Sequence, residues 1–276
     1  MKTWMISGAS SGLGYETTRL LLERGDRVLA CARRLDRLEP LRQRHGERLC
    51  TYYLEITDTE VIPRIVAEAF ESVGNVDVLL SSAGYGLFGA VEELELEQIE
   101  HQLRTNLLGS ILLIQACLPF LRAQGRGRIF QLSSESGEMS FPALALYQAS
   151  KWGIEGFCEG LRQEVECLGI DVTLVVPGRV PTRFDEHAVT PRRIIADYQR
   201  STVGNYRRLL AMGKFSSPGC AAKMAAAIIA CADSERPPRR LILGSDAYKN
   251  IRRALDSRLA ELEAQKDSAR STDREA

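Results

Sequence analysis

The chain has 276 residues, 45% of them hydrophobic and 26% charged, the proportions of an ordinary globule, and it is long enough for one large α/β domain. Its 36 Lys and Arg balance its 36 Asp and Glu, so no net field draws it to nucleic acid or to an anionic membrane. Seven cysteines without a C-x-x-C spacing read as reduced core thiols, and His45, His101 and His187 are not paired at ligand spacing, so neither a disulfide framework nor a metal site is expected.

Short apolar runs rich in β-formers alternate with helical periodicity along the chain, the signature of βαβ units and a parallel sheet. The first strand, expected at Thr3–Ser7, starts too close to Met1 to leave room for a signal segment, so a cytoplasmic protein is expected. A glycine turn, Gly8 to Gly14, opens a helix over 13–24 that Gly25 closes as a left-handed cap. A strand over 27–32 ends at Arg33-Arg34. Strand 49–54, helix 59–73, strand 76–81 and one long helix over 96–122 follow. The acidic residues Glu92, Glu93, Glu95 and Glu97 at the start of that helix suit its dipole and read as a solvated face.

Further on come strand 127–133, helix 147–168 and strand 171–176. No strand interrupts 179–217, and a helix within 191–212 suggests a helical lid after strand six. Ser217-Pro218 reads as the start of a helix over 218–231. That helix is the most apolar later stretch, but it contains Lys223 and is too short to span a bilayer. Strand 240–243 and helix 246–264 complete the pattern. The polar end, 263–276, reads as a mobile tail. With no linker dividing the strands, residues 1–262 are expected to form a single Rossmann-like, doubly wound α/β domain with a parallel seven-stranded sheet flanked by helices.

Three local patterns carry chemistry. Gly8, Gly12 and Gly14, with Ser10, Ser11 and Leu13 between them, allow close backbone approach to a pyrophosphate at a helix N-terminus. At the end of strand two Ala32 stands where an acidic residue would hold a ribose diol, and Arg33 and Arg34 follow, so NADP(H) is the expected cofactor. Tyr147 and Lys151 lie four apart on a helix and share a face. Moving a phenol from ~10 toward ~7 takes roughly 4 kcal/mol of preference for the phenolate, and a neighbouring ammonium is the simplest source.

With these residues in this order, the chain resembles the short-chain dehydrogenase/reductase family, in its short, non-extended branch, over residues 2–262. The family's glycine turn begins with Thr, and Ser7 takes that place here. Its Asn-Asn-Ala-Gly corner is Ser81-Ser82-Ala83-Gly84, which predicts loss of the usual side-chain brace. The resemblance assigns a catalytic set of Asn106, Ser134, Tyr147 and Lys151, with Ser134 chosen over Ser133 because it lies thirteen residues before Tyr147. It places cofactor contacts at Glu55 and Ile56, at Ala83 and Gly84, and at Pro177, Gly178, Val180 and Thr182. It also implies a homodimer or homotetramer.

The implied activity is NADP(H)-dependent interconversion of a carbonyl and a secondary alcohol. Ser134 polarises the carbonyl, Tyr147 handles the proton, Lys151 lowers the Tyr pKa and holds the ribose, and Asn106 keeps a relay water. A catalytically silent NADP-binding regulator is the alternative from another class. Tyr85, Leu87, Phe88, Met139, Phe141, Leu144 and Phe184 are expected to line an apolar substrate pocket, while Arg179 and Arg183 could instead hold a carboxylate. Glu135 and Glu138 read as loop charges near the pocket mouth.

Overall fold

The computed structural model describes residues 1–181 and 188–274. Seven strands, β1 (Thr3–Ser7), β2 (Arg27–Ala32), β3 (Leu49–Tyr53), β4 (Val78–Ser81), β5 (Gly127–Leu132), β6 (Ile170–Pro177) and β7 (Arg240–Leu243), form one sheet. Their order is β3-β2-β1-β4-β5-β6-β7, with every neighbouring pair parallel. Such a sheet must be covered on both faces, which is why its strands are almost continuously apolar. The alternation of side chains then divides the core in two. Met5, Leu29, Leu79 and Ile129 pack against α3 (Ile62–Val73), α5 (Gly109–Gln124) and α6 (Ala145–Val165) through Phe70, Leu113 and Ile154. Trp4, Ile6, Val28, Leu80 and Phe130 pack on the opposite face against α1 (Gly12–Arg24) and α8 (Ala221–Asp233) through Leu21, Leu22 and Ile228.

The chain runs outward from β1 to β3 and returns to β4 beside β1. That reversal opens a crevice at the carboxyl ends of the strands, the place where open α/β sheets take their ligands. Gly25 caps α1 at φ 96°, its N–H reaching the carbonyls of Leu21 and Leu22, as expected.

Several expectations are corrected. The helix over 96–122 is broken: α4 (Leu96–Leu103) passes through a π-type turn at Arg104–Leu108 before α5. Gly109 follows that turn because a Cβ there would stand 2.6 Å from the Ile56 carbonyl oxygen. The run Leu96–Gln124 is long enough, and over an 18-residue window apolar enough, to cross a membrane by length and composition, the mean hydropathy of that window being 1.5. Here Leu113, Ile114, Cys117 and Leu121 of this run lie in the core. Ser217-Pro218 does not start a helix. α8 begins at Ala221, since Gly219 donates its N–H to the Arg179 carbonyl and fixes the preceding backbone there. A short helix missing from the sequence reading, α2 (Glu39–His45), follows β2.

The acidic run is a solvated face only in part: Glu92 and Glu97 are exposed, but Glu93 is buried and three of the four residues have partners. Glu92 accepts from the Tyr198 hydroxyl, Glu95 pairs with Arg192, and the buried Glu93 pairs with Arg207 while accepting the N–H groups of Ala90 and Ile195. All three ties reach the segment after β6, which carries α7 (Thr202–Ala211). That segment also meets the β4 side at an isolated bridge between Leu87 and Val189. At the far end α9 (Ser245–Glu263) and α10 (Lys266–Arg270) make the expected irregular tail largely helical, and residues 255–274 are exposed throughout.

Candidate active site

A cavity of about 690 Å³ fills the crevice and brings the predicted elements together. Its floor is the glycine turn. Gly8, at φ 69°, packs so closely on the next corner that a Cβ would stand 2.9 Å from the Ala83 nitrogen; Gly12, at φ 56°, faces open space. Gly14 does not reach the cavity, and its role is packing: a Cβ there would stand 2.6 Å from the Gly8 oxygen. Ser11 precedes α1 without a side-chain cap, so the first N–H groups of the helix are left to other acceptors. With Ser10, Ser11, Gly12 and Leu13 all on the cavity, this cradle fits the pyrophosphate of a nicotinamide dinucleotide.

The corner after β4 keeps a brace despite lacking the Asn pair. Ser7 Oγ accepts the N–H groups of Ser82 at 3.0 Å and Ala83 at 3.3 Å, while the buried Ser81 hydroxyl has no partner among the described residues. Ala83 and Gly84 line the cavity beyond it.

At the adenosine end Arg33, Arg34, Glu55 and Ile56 line the cavity. Arg33 donates to Glu55 Oε2 at 3.2 Å, and Glu55 Oε1 accepts the Thr57 N–H. Burial would raise the Glu55 carboxyl, but the Thr57 N–H and the Arg33 guanidinium outweigh it and hold the group below the usual carboxylate range. At the other end Pro177, Gly178 and Val180 line the cavity; Thr182, Arg183 and Phe184 lie outside the described residues.

Ser134, Tyr147 and Lys151 converge on the same space. Ser134 sits in extended backbone at the end of the β5 loop, its Oγ accepting the Ser136 N–H at 3.1 Å. Tyr147, on the first turn of α6, is 7% exposed. Lys151 lies one turn on, 5.7 Å from the Tyr147 ring centre, and its Nζ donates to the Leu132 carbonyl at 3.0 Å. Burial pulls that ammonium down to about 8, against the opposing pull of the Glu155 carboxylate. At pH 7 it is therefore still mainly a cation, about tenfold in favour at one unit below its pKa.

Asn106 stands behind this group, not on the cavity. In the π turn it is 1% exposed, its Oδ1 accepting the Tyr85 N–H and its Nδ2 donating to the Tyr85 carbonyl and to Ser150 Oγ. Wide turns of this kind recur at functional sites because they redirect a side chain within a helix. Ser133, the neighbour passed over in favour of Ser134, donates to Glu155 Oε1 at 2.5 Å, a bond that points its hydroxyl to a partner on α6.

Tyr85, Phe88, Phe141 and Leu144 line the substrate side as expected, joined by Tyr206 and Phe215 from the segment after β6. Leu87 and Met139 do not: Leu87 is buried at the bridge to Val189. Glu138 is drawn to Arg240, at 2.5 Å, while Glu135 lines the cavity with Asp246 and Asn250 of α9. Nothing in the sequence marked Asp246 or Asn250, because only closure of the sheet by β7 brings α9 to the cavity. Among the described residues no group of His, Cys, Asp and Glu is placed to hold a metal.

A doubly wound sheet with a glycine-rich pyrophosphate cradle at its switch point, and a Tyr-Lys pair facing it, defines a dinucleotide-dependent oxidoreductase fold. The short chain dehydrogenase family model matches residues 2–192, and the chain belongs to that family. It is 34% identical over 256 residues to oxidoreductase BOA17 of Botryotinia fuckeliana, covering 92% of this chain and 93% of that one. The crystal structure of a short-chain dehydrogenase from Streptomyces avermitilis superposes with a TM-score of 0.92 at 35% identity, covering 99% of both chains. Other proteins of this fold have been solved with NADP, and one from Burkholderia phymatum with NAD, at 22% identity and a TM-score of 0.79 over 94% of this chain and 95% of that one.

Proposed function

We propose that the protein is an NADP(H)-dependent reductase and dehydrogenase that interconverts a hydrophobic ketone and its secondary alcohol. The observation that carries this reading is the convergence of Ser134, Tyr147 and Lys151 on the cavity that begins at the glycine turn. Bound there, the nicotinamide would supply or accept the hydride at the carbonyl carbon.

This chain's own residues do the rest. Ser134 donates a hydrogen bond to the carbonyl oxygen and fixes which atom faces the proton donor. Tyr147 delivers the proton to that oxygen in reduction and removes it in oxidation. Lys151, a buried cation beside the ring, favours the phenolate that remains after transfer. Asn106 positions the Tyr85 backbone behind the group and holds the turn open toward Ser150.

The preference for NADP(H) is supported by Ala32, which cannot bind a ribose diol, and by Arg33 and Arg34 beside it on the cavity. The preference for apolar substrates is supported by Phe88, Phe141, Leu144, Tyr206 and Phe215. Arg179 stacks over Phe215 at 4.5 Å, so that its stem and guanidinium face add to the aromatic side of the cavity. NADPH and NADH consumption against a panel of ketones and small oxo acids tests the proposal. Turnover of bulky ketones with NADPH is the expected result, and a preference for small oxo acids would overturn the apolar reading.

A further inference from the structure

The cavity has one wall that the apolar description does not fit. Glu135 lines it, yet the residue is only 4% exposed. Asn250 of α9 donates to its Oε2 at 2.8 Å, and no hydrogen-bond donor among the described residues meets Oε1. That oxygen is open to the cavity, so a ligand that fills the space takes it out of water, at a cost in free energy unless the ligand itself bonds it. Burial holds the Glu135 carboxyl above the usual carboxylate range; the Asn250 bond opposes it, nearby Asp246 adds to it, and Arg179 opposes it.

Position gives the open oxygen its meaning. Glu135 directly follows Ser134, and consecutive Cα atoms are about 3.8 Å apart. A group recognised by Glu135 therefore lies beside the carbonyl that Ser134 holds. The remainder of the substrate side is aromatic and aliphatic, so the two walls ask for different ends of one molecule.

Resting on the oxidoreductase reading above, we propose that Glu135 is a specificity residue, selecting hydrophobic ketones that carry a hydrogen-bond donor, a hydroxyl or an ammonium, next to the carbonyl. The donor bonds Oε1, and Asn250 keeps the carboxylate turned toward the cavity. A cavity built to bond a donor rejects the analogue that lacks one, because the acceptor is then left buried and unpaired.

Three probes of one shape test this: phenacyl alcohol, phenacylamine and propiophenone, in which a methyl replaces the donor. For the wild type, kcat/KM on phenacyl alcohol or phenacylamine should exceed that on propiophenone by about tenfold or more, the range of a hydrogen bond to a charged group. In Glu135→Gln, which still offers an oxygen to Asn250, that advantage should disappear while propiophenone changes less than about threefold. An equal loss on all three probes would make Glu135 a brace for α9, and an unchanged ratio would remove it from recognition; either result overturns the inference. Calorimetric binding of the same probes to wild type and variant needs no turnover. Failure of all three to be reduced would count against the oxidoreductase reading, while the binding ratio would still decide the role of Glu135.

Discussion

Lys151 must stay charged where charge is costly. Its folded pKa of about 8 lies below the ordinary 10.5, so between those values the unfolded chain binds more protons and stability rises with pH. Below about pH 8 the penalty is fully present, on the order of 3 kcal/mol at ~1.36 kcal/mol per unit. Lys151→Met should therefore be inactive yet more resistant to urea than the wild type at pH 7, with the gap closing as pH climbs from 8 toward 10.5. A gap independent of pH would mean that the ammonium is not buried as described. Tyr147→Phe removes one oxygen from a buried ring. We expect kcat to fall about a hundred- to ten-thousand-fold, the usual contribution of a positioned acid, with the dissociation constant for NADPH nearly unchanged. Arg33 is 59% exposed and Glu55 28%, so their pair is worth at most about 1 kcal/mol. A phosphate contact of roughly 1.5–3 kcal/mol outcompetes it. Arg33→Ala should weaken NADPH at least about tenfold and NADH by less than about threefold, measured as dissociation constants. Equal values for the two cofactors in the wild type would defeat the assignment.

Among elements, the ties from the acidic run to the segment after β6 matter most. Removing one partner from a buried ion pair costs about 3–5 kcal/mol, because the other is left without compensation. Glu93 is such a partner, and it also satisfies two backbone N–H groups. Glu93→Gln should lower the thermal midpoint and raise KM for a ketone more than it lowers kcat, since Tyr206 and Phe215 on the cavity belong to the segment it holds. A variant with unchanged midpoint and KM would show that the clasp carries no load. This arrangement was not legible in the sequence. Four acidic residues near a helix start look the same whether water or an arginine a hundred positions later neutralises them. The strands, in contrast, were legible to within two residues, because burial on both faces forces continuous apolar runs. The π turn escaped because its cause, the approach of Gly109 to the Ile56 backbone, lies between elements and not within one. The glycine turn and the Tyr-Lys pair were legible because their spacing is local; Asn250 and Asp246 were not, because their place on the cavity depends on the last strand.

At the scale of the molecule, the cavity is assembled from Gly8 near one end of the chain and Asn250 near the other, with every strand but the seventh ending beside it. A dinucleotide lying along it would touch parts of the chain that come together only in the native state. Such a ligand has almost nothing to bind in the unfolded protein, so its affinity adds directly to the free energy of unfolding, about 2.7 kcal/mol at a hundred times its dissociation constant. Melting curves at increasing NADPH should then climb with the logarithm of its concentration, and NADH should need a higher concentration for the same rise. A single cooperative transition that moves as a whole is expected, since neither face of the sheet can lose the ligand while the other keeps it. The cofactor would thus act as a non-covalent cross-link between the turn after the first strand and the loop after the sixth, about 170 residues apart in the chain.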